Sequence, residues 1–180
     1  MSKTFEMIAA GFGGQGVLGL GQIVAYSAMF NEKHTTWLPS YGPEMRGGTA
    51  NCSVVVSDTP IANPMITRPN VLVAMNGPSL DKFINTVVPG GYVFVNSSII
   101  DTKVEREDLK VFYIPTIELA VEGGNPRGAN VVMLGAVIEG TGMVDYDKVV
   151  EGVEYYFSKK PQLIDPNKKM LEIGKNAVNK

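Results

Sequence analysis

Thr4-Phe5-Glu6-Met7-Ile8-Ala9-Ala10 runs directly into Gly11-Phe12-Gly13-Gly14-Gln15-Gly16 and then into the apolar stretch Val17 to Phe30. The first segment has the length and composition of a short buried strand. In the third, Leu18, Leu20, Ile23, Val24, Ala25, Ala28 and Met29 leave almost no polar face, so a helix there is buried on most sides. Gly19 and Gly21 permit that helix to approach a sheet closely. His34 to Leu38 is the next strand, short and β-branched. Strand, glycine-rich turn, helix and strand within about 35 residues make a βαβ unit, which implies a parallel sheet and a right-handed crossover.

The same alternation continues outward. Thr49 to Val56, Asn70 to Met75, Tyr92 to Val95 and Val111 to Ile114 read as strands. Pro78 to Val87 reads as a helix with Leu80, Phe83, Ile84 and Val87 on one face. Thr116 to Val121 and Asn130 to Glu139 are further helices. Asp145 to Phe157 carries one apolar stripe opposite Asp147, Lys148, Glu151 and Glu154. Asp165-Pro166 reads as the N-cap and first turn of a last helix, with Met170, Ile173, Gly174, Ala177 and Val178 facing inward. No repeat, low-complexity segment or linker interrupts the 180 residues. We therefore expect a single α/β domain over residues 1–180, with a mostly parallel, Rossmann-like sheet flanked by helices.

Lys and Arg total 16 against 18 Asp and Glu, a formal charge of -2, which provides no concentrated basic face for nucleic acid. With 44% hydrophobic residues disorder is excluded, and no stretch has the length and apolarity of a membrane span. One cysteine, Cys52, cannot form an internal disulfide, an iron–sulfur cluster or a cysteine-rich zinc site. No signal peptide is expected ahead of the first strand, so the reading is a reduced, cytoplasmic, soluble domain without membrane or nucleic-acid partners. Charge is unevenly spread: His34 to Leu80 holds four charges in 47 residues, whereas Asp101 to Lys110 holds seven in ten. The second reads as a solvated edge. Within the first, Pro39-Ser40-Tyr41-Gly42-Pro43-Glu44-Met45-Arg46-Gly47-Gly48 is a turn-rich loop nearly free of charge, the composition of a surface that a partner covers.

Gly11, Gly13 and Gly16 match G-x-G-x-x-G in the required strand–turn–helix context. The dinucleotide reading then lacks its ribose-binding carboxylate, because the second strand ends Thr35-Thr36-Trp37-Leu38-Pro39. A Walker A loop is excluded because Gly16 precedes Val17-Leu18 rather than Lys and Ser/Thr. Contact with a phosphate or nucleotide moiety and close packing of a tight βα turn both remain open. His34, the only histidine, has no neighbours at ligand spacing, and Cys52 has no base beside it. Ser97 and Ser98 lack a nucleophile elbow, and no carboxylate pair is placed by the sequence in a common cleft. No catalytic residue is assigned. Arg46 and Arg127 differ from the other cations: each sits in a Gly/Pro-rich loop where a guanidinium can clamp phosphate or carboxylate.

The glycine loop, the ten-residue segment from Pro39 to Gly48, and the run Asn125-Pro126-Arg127-Gly128-Ala129-Asn130-Val131-Val132-Met133-Leu134-Gly135-Ala136 closely resemble the gamma subunit of 2-oxoacid:ferredoxin (acceptor) oxidoreductases, the 2-oxoglutarate type above all. The resemblance covers most of the chain. It implies oxidative decarboxylation of a 2-oxoacid to an acyl-CoA, with electrons passed to ferredoxin or a similar acceptor. It also implies alpha, beta and ferredoxin-like delta partner subunits that carry thiamine diphosphate, Mg and the iron–sulfur clusters. On that footing this chain binds no cofactor alone, is inactive in isolation, and contributes to assembly and to the site of coenzyme A, a co-substrate. Gly11, Gly13, Gly14, Gln15, Gly16, Arg46 and Arg127 become the binding residues, and the Pro39–Gly48 segment the partner loop. The uncovered apolar surface allows a homodimer in isolation. The alternative is a stand-alone Rossmann-like nucleotide-binding protein.

Overall fold

A computed structural model describes residues 3–41 and 48–178. Its strands are β1 (Thr4–Phe12), β2 (His34–Tyr41), β3 (Thr49–Ser57), β4 (Val71–Ala74), β5 (Tyr92–Asn96) and β6 (Lys110–Ile114). Its helices are α1 (Val17–Phe30), α2 (Gly77–Phe83), α3 (Thr116–Glu122), α4 (Ala129–Thr141), α5 (Tyr146–Tyr156) and α6 (Ile164–Ala177). The strands form one sheet in the order β2-β3-β1-β4-β5-β6. Five strands run the same way, and β3 alone is antiparallel to its neighbours β1 and β2. The expected α/β class and mostly parallel sheet therefore hold. The strands of the first βαβ unit, β1 and β2, are parallel as expected but are not neighbours, because β3 inserts between them.

Alternation along the strands separates two apolar faces. Met7, Ala9, Val71, Val73, Phe94 and Ile114 pack under α1, α3, α4, α5 and α6. Ile8, Ala10, Leu72, Ala74, Val93 and Val95 face Leu80 of α2, Val87 and Ile100. On the crowded face, α4 and α6 cross in close contact: a methyl group at Gly174 would strike the Val132 carbonyl, and one at Gly135 the Leu171 carbonyl. Phe94 is fully buried and stacks on Phe112 with centroids 4.9 Å apart.

Three expectations are corrected. β2 continues through Pro39, Ser40 and Tyr41, so the first residues of the anticipated loop belong to an edge strand, where a proline costs no ladder bond. The helix from Pro78 breaks after Phe83 into a 3₁₀ turn over Ile84–Thr86, a weak helix-forming run in which the Thr86 hydroxyl donates to the Phe83 carbonyl. The last helix starts at Ile164, not after Asp165. A 3₁₀ turn over Pro161–Leu163 feeds it, and Pro166 sits in the first turn, where its missing N–H has no intrahelical acceptor. The inward face of that helix also includes Leu171. Among the described residues, no helix is long and apolar enough to cross a membrane.

Candidate anion-binding site

In open α/β sheets the crevice for ligands lies beyond the carboxyl ends of the strands, where neighbouring strands send their connections opposite ways. Here that point lies between β1 and β4. From β1 the chain passes through α1 to β2 on one flank, and from β4 through α2 to β5 on the other. A cleft of about 620 Å³ opens there, lined by Gly14, Gln15, Gly16 and Met75 on one side and Asn125, Arg127 and Asn130 on the other. Tyr156 and Phe157 at the end of α5 and Leu163 and Asn167 at the start of α6 extend the wall.

The glycine loop is built by two left-handed residues, Gly14 (φ 98°) and Gly16 (φ 74°). Gly16 must also lack a side chain because Asn130 occupies the space its Cβ would need, and the Asn130 amide donates to the Gly16 carbonyl at 3.2 Å. Gly13 donates its N–H to the Gly48 carbonyl at 2.9 Å, and Gln15 donates its backbone N–H to the Phe12 carbonyl at 3.1 Å. Among the described residues, no acceptor takes the N–H of Gly14, Gly16, Val17, Leu18 or Gly19. Gly19 leaves room for the Tyr156 ring above the first turn of α1. Burial raises the pKa of the Tyr156 phenol.

Arg127 sits on a 3₁₀ turn, Pro126–Gly128, that leads straight into α4. Asn125 anchors the start of that turn: its N–H donates to the Ala120 carbonyl at 2.9 Å, and its side-chain amide donates to Asn167 Oδ1 at 3.4 Å. The Asn167 amide in turn donates to the Leu163 carbonyl at 2.8 Å. Three long helices thus begin on the cleft, but only α1 and α4 leave their leading N–H groups open: at the start of α6, Ile164 donates to the Pro161 carbonyl, Pro166 has no N–H and Asp165 stands in the first turn. The leading N–H groups of α1 and α4 carry partial positive charge, and the Arg127 side chain, exposed and in no ion pair among the described residues, adds a full one. Among the described residues, no aspartate or glutamate lines the cleft. The arrangement attracts an anion with several oxygens.

The structure brings Gly14, Gln15, Gly16 and Arg127 into one cleft. Gly11 lies within β1, and Gly13 turns its donor toward Gly48. Gly42, Pro43, Glu44, Met45, Arg46 and Gly47 lie outside the described residues. Cys52 is buried as expected, and burial pushes its thiol up to about 12. His34 is exposed at the start of the edge strand β2. Ser98 holds the start of α3: its hydroxyl accepts the Ile117 N–H at 2.9 Å and donates to the Glu118 carboxylate, keeping that carboxyl below its usual range. Among the described residues, no group of His, Cys, Asp and Glu side chains is gathered as a metal site would need.

Sequence reasoning missed the asparagines. Asn76 caps α2 by accepting the Ser79 N–H at 2.9 Å, and Asn96 is buried and donates to the Met75 carbonyl at 3.3 Å. Both stand where an apolar strand gives way to a loop, the position at which the carboxyl end of a parallel strand meets a ligand crevice. That placement, with Asn130 in the second position of α4, was the available signal.

The fold and the cleft define a doubly wound α/β domain with a candidate anion site at its switch point. Residues 6–177 match the pyruvate ferredoxin/flavodoxin oxidoreductase family, and the chain belongs to it. It is 41% identical over 172 residues to the ketoisovalerate oxidoreductase subunit VorA of Methanothermobacter marburgensis, covering 95% of this chain and 36% of that one. It is 34% identical over 151 residues to the 2-oxoglutarate synthase subunit KorC of Methanocaldococcus jannaschii, covering 82% and 81%. The crystal structure of the keto/oxoacid ferredoxin oxidoreductase gamma subunit from Geobacter sulfurreducens superposes with a TM-score of 0.82 at 28% identity, covering 97% of this chain and 98% of the other. The chain thus spans about a third of the VorA relative and most of the KorC relative.

Proposed function

We propose that this chain is the gamma-type subunit of a multisubunit 2-oxoacid:ferredoxin or related acceptor oxidoreductase, and that its cleft holds phosphate groups of coenzyme A. The observation that carries the second part is the convergence of the open N-termini of α1 and α4 and Arg127 on a cleft that no carboxylate lines among the described residues. A diphosphate ester suits such a site, since backbone N–H groups take its oxygens and the guanidinium neutralises its charge. The second strand's lack of a terminal carboxylate suits a ligand that does not need its ribose gripped in the dinucleotide manner.

Decarboxylation belongs on partner chains in this reading. A lone buried thiol held protonated cannot ligate a cluster. The partners are the thiamine diphosphate- and Mg-binding subunits and a cysteine-rich, ferredoxin-like one, and the site of action is the cytoplasm. Relatives of this one domain carry names for both ketoisovalerate and 2-oxoglutarate enzymes, which supports oxoacid selection outside this chain and leaves 2-oxoglutarate one substrate among several. The Pro39–Gly48 segment would meet a partner. Anaerobic affinity purification of the tagged chain from its own host is the test. We expect a thiamine-binding chain and a cysteine-rich chain to be recovered with it, together with dye reduction that depends on both a 2-oxoacid and coenzyme A. A chain recovered alone, with nucleotide affinity of its own, would replace this reading with that of a free nucleotide-binding protein.

A further inference from the structure

Gln15 lines the cleft, yet both ends of its carboxamide are engaged within the chain. Its Oε1 accepts the Phe12 N–H at 2.7 Å, with Asn76 Nδ2 approaching the same oxygen at 3.4 Å, and its Nε2 donates to the Met75 carbonyl at 2.9 Å. That carbonyl also accepts Asn96 Nδ2, and Asn96 Oδ1 accepts the Thr116 hydroxyl at 2.8 Å. One amide relay thus ties the glycine loop to the ends of β4 and β5 and to the segment after β6. Gly11 belongs to the same device, because a Cβ there would lie 2.7 Å from Gln15 Oε1. The first glycine of the motif leaves room for the glutamine rather than making the tight turn.

We propose that Gln15 is a positioning residue for anion binding: it locks the glycine loop in the conformation that presents the N–H groups of Gly14, Gly16 and Val17. The inference rests on the phosphate reading of the cleft. Gln15 removes the Phe12 N–H from the set of open donors, as Gly48 does for Gly13. With two left-handed glycines, the loop has more conformations open to it than most. Without the clamp, ordering the loop falls to the ligand and lowers its affinity.

Pyrophosphate is the probe, titrated calorimetrically into the full chain and into its Gln15→Met and Gln15→Asn variants. Amide hydrogen exchange at Phe12 and a thermal unfolding scan are recorded for each. Methionine keeps the reach and loses every hydrogen bond; asparagine keeps an uncharged amide but is one methylene too short to bridge Phe12 and Met75. In Gln15→Met we expect exchange at Phe12 to accelerate by about tenfold and the pyrophosphate Kd to rise by about tenfold, the loss of roughly one good hydrogen bond's worth of order. In Gln15→Asn, which serves if Gln15→Met does not fold, exchange at Phe12 and the pyrophosphate Kd both rise. A Kd within twofold of the parent, whether or not exchange at Phe12 accelerates, overturns the proposal and leaves Gln15 a structural residue only. A parent chain that does not bind pyrophosphate overturns the anion reading itself, a different failure.

Discussion

Gly14 and Gly16 share a left-handed backbone, but a side chain would meet different surroundings at each. At Gly14 an added Cβ finds open space, so Gly14→Ala carries only the backbone strain, about 1–2 kcal/mol. At Gly16 the same strain is joined by collision with Asn130, and Gly16→Ala should lose at least about 1 kcal/mol more in urea unfolding. Equal losses at the two positions would show that Asn130 swings away without cost. Cys52 makes a prediction of opposite character. Its folded thiol titrates near 12 against 9.0 when exposed, so the unfolded chain releases the proton first as pH rises. Stability is therefore complete below pH 9 and declines between 9 and 12 by about 1.4 kcal/mol per unit. Denaturation midpoints of the parent and of Cys52→Ala across that range should converge. At neutral pH the native thiol should resist alkylation as long as the chain stays folded.

The helices show how much of an element is decided locally. Val17–Phe30 was legible to the residue, because an apolar run bounded by glycines on one side and Asn31-Glu32 on the other leaves little freedom. The antiparallel insertion of β3 was not legible: Thr49 to Val56 has the same apolar character whichever neighbour it pairs with, and its direction depends on the path from β2. The start of α6 was misread because Asp165-Pro166 is as acceptable in a first turn as at its edge. In the site, the glycines and Arg127 were legible as turn and loop chemistry. Asn76, Asn96, Asn130 and Asn167 were not, since their partners lie 15 or more residues away for all but local capping bonds. The crossing of α4 and α6 tests packing at this scale. Gly174→Ala drives a methyl into the Val132 carbonyl of a rigid helix and should cost about 3 kcal/mol. Gly77→Ala, at the first position of α2 with no heavy atom within 4 Å of its Cβ, should leave the unfolding midpoint unchanged or raise it slightly.

Across the whole molecule, the distribution of charge matters more than its sum. A net charge of -2 does not suggest anion binding, yet the sheet gathers the open N-termini of α1 and α4 and Arg127 at one end, and among the described residues no carboxylate lines the cleft between them. The charge-rich segment from Asp101 to Lys110 lies instead beside the edge strand β6, in solvent. In the proposed reading, a subunit organised this way would present its binding groups on one rim and leave redox chemistry to partner chains. The most direct measurement is the coenzyme A dependence of the purified complex carrying Arg127→Ala in this chain. We predict a rise of about tenfold in KM for coenzyme A, the contribution of one charge-assisted contact, with the KM for the 2-oxoacid and kcat unchanged. An unaltered KM for coenzyme A in a complex of normal composition would contradict the phosphate role of the cleft.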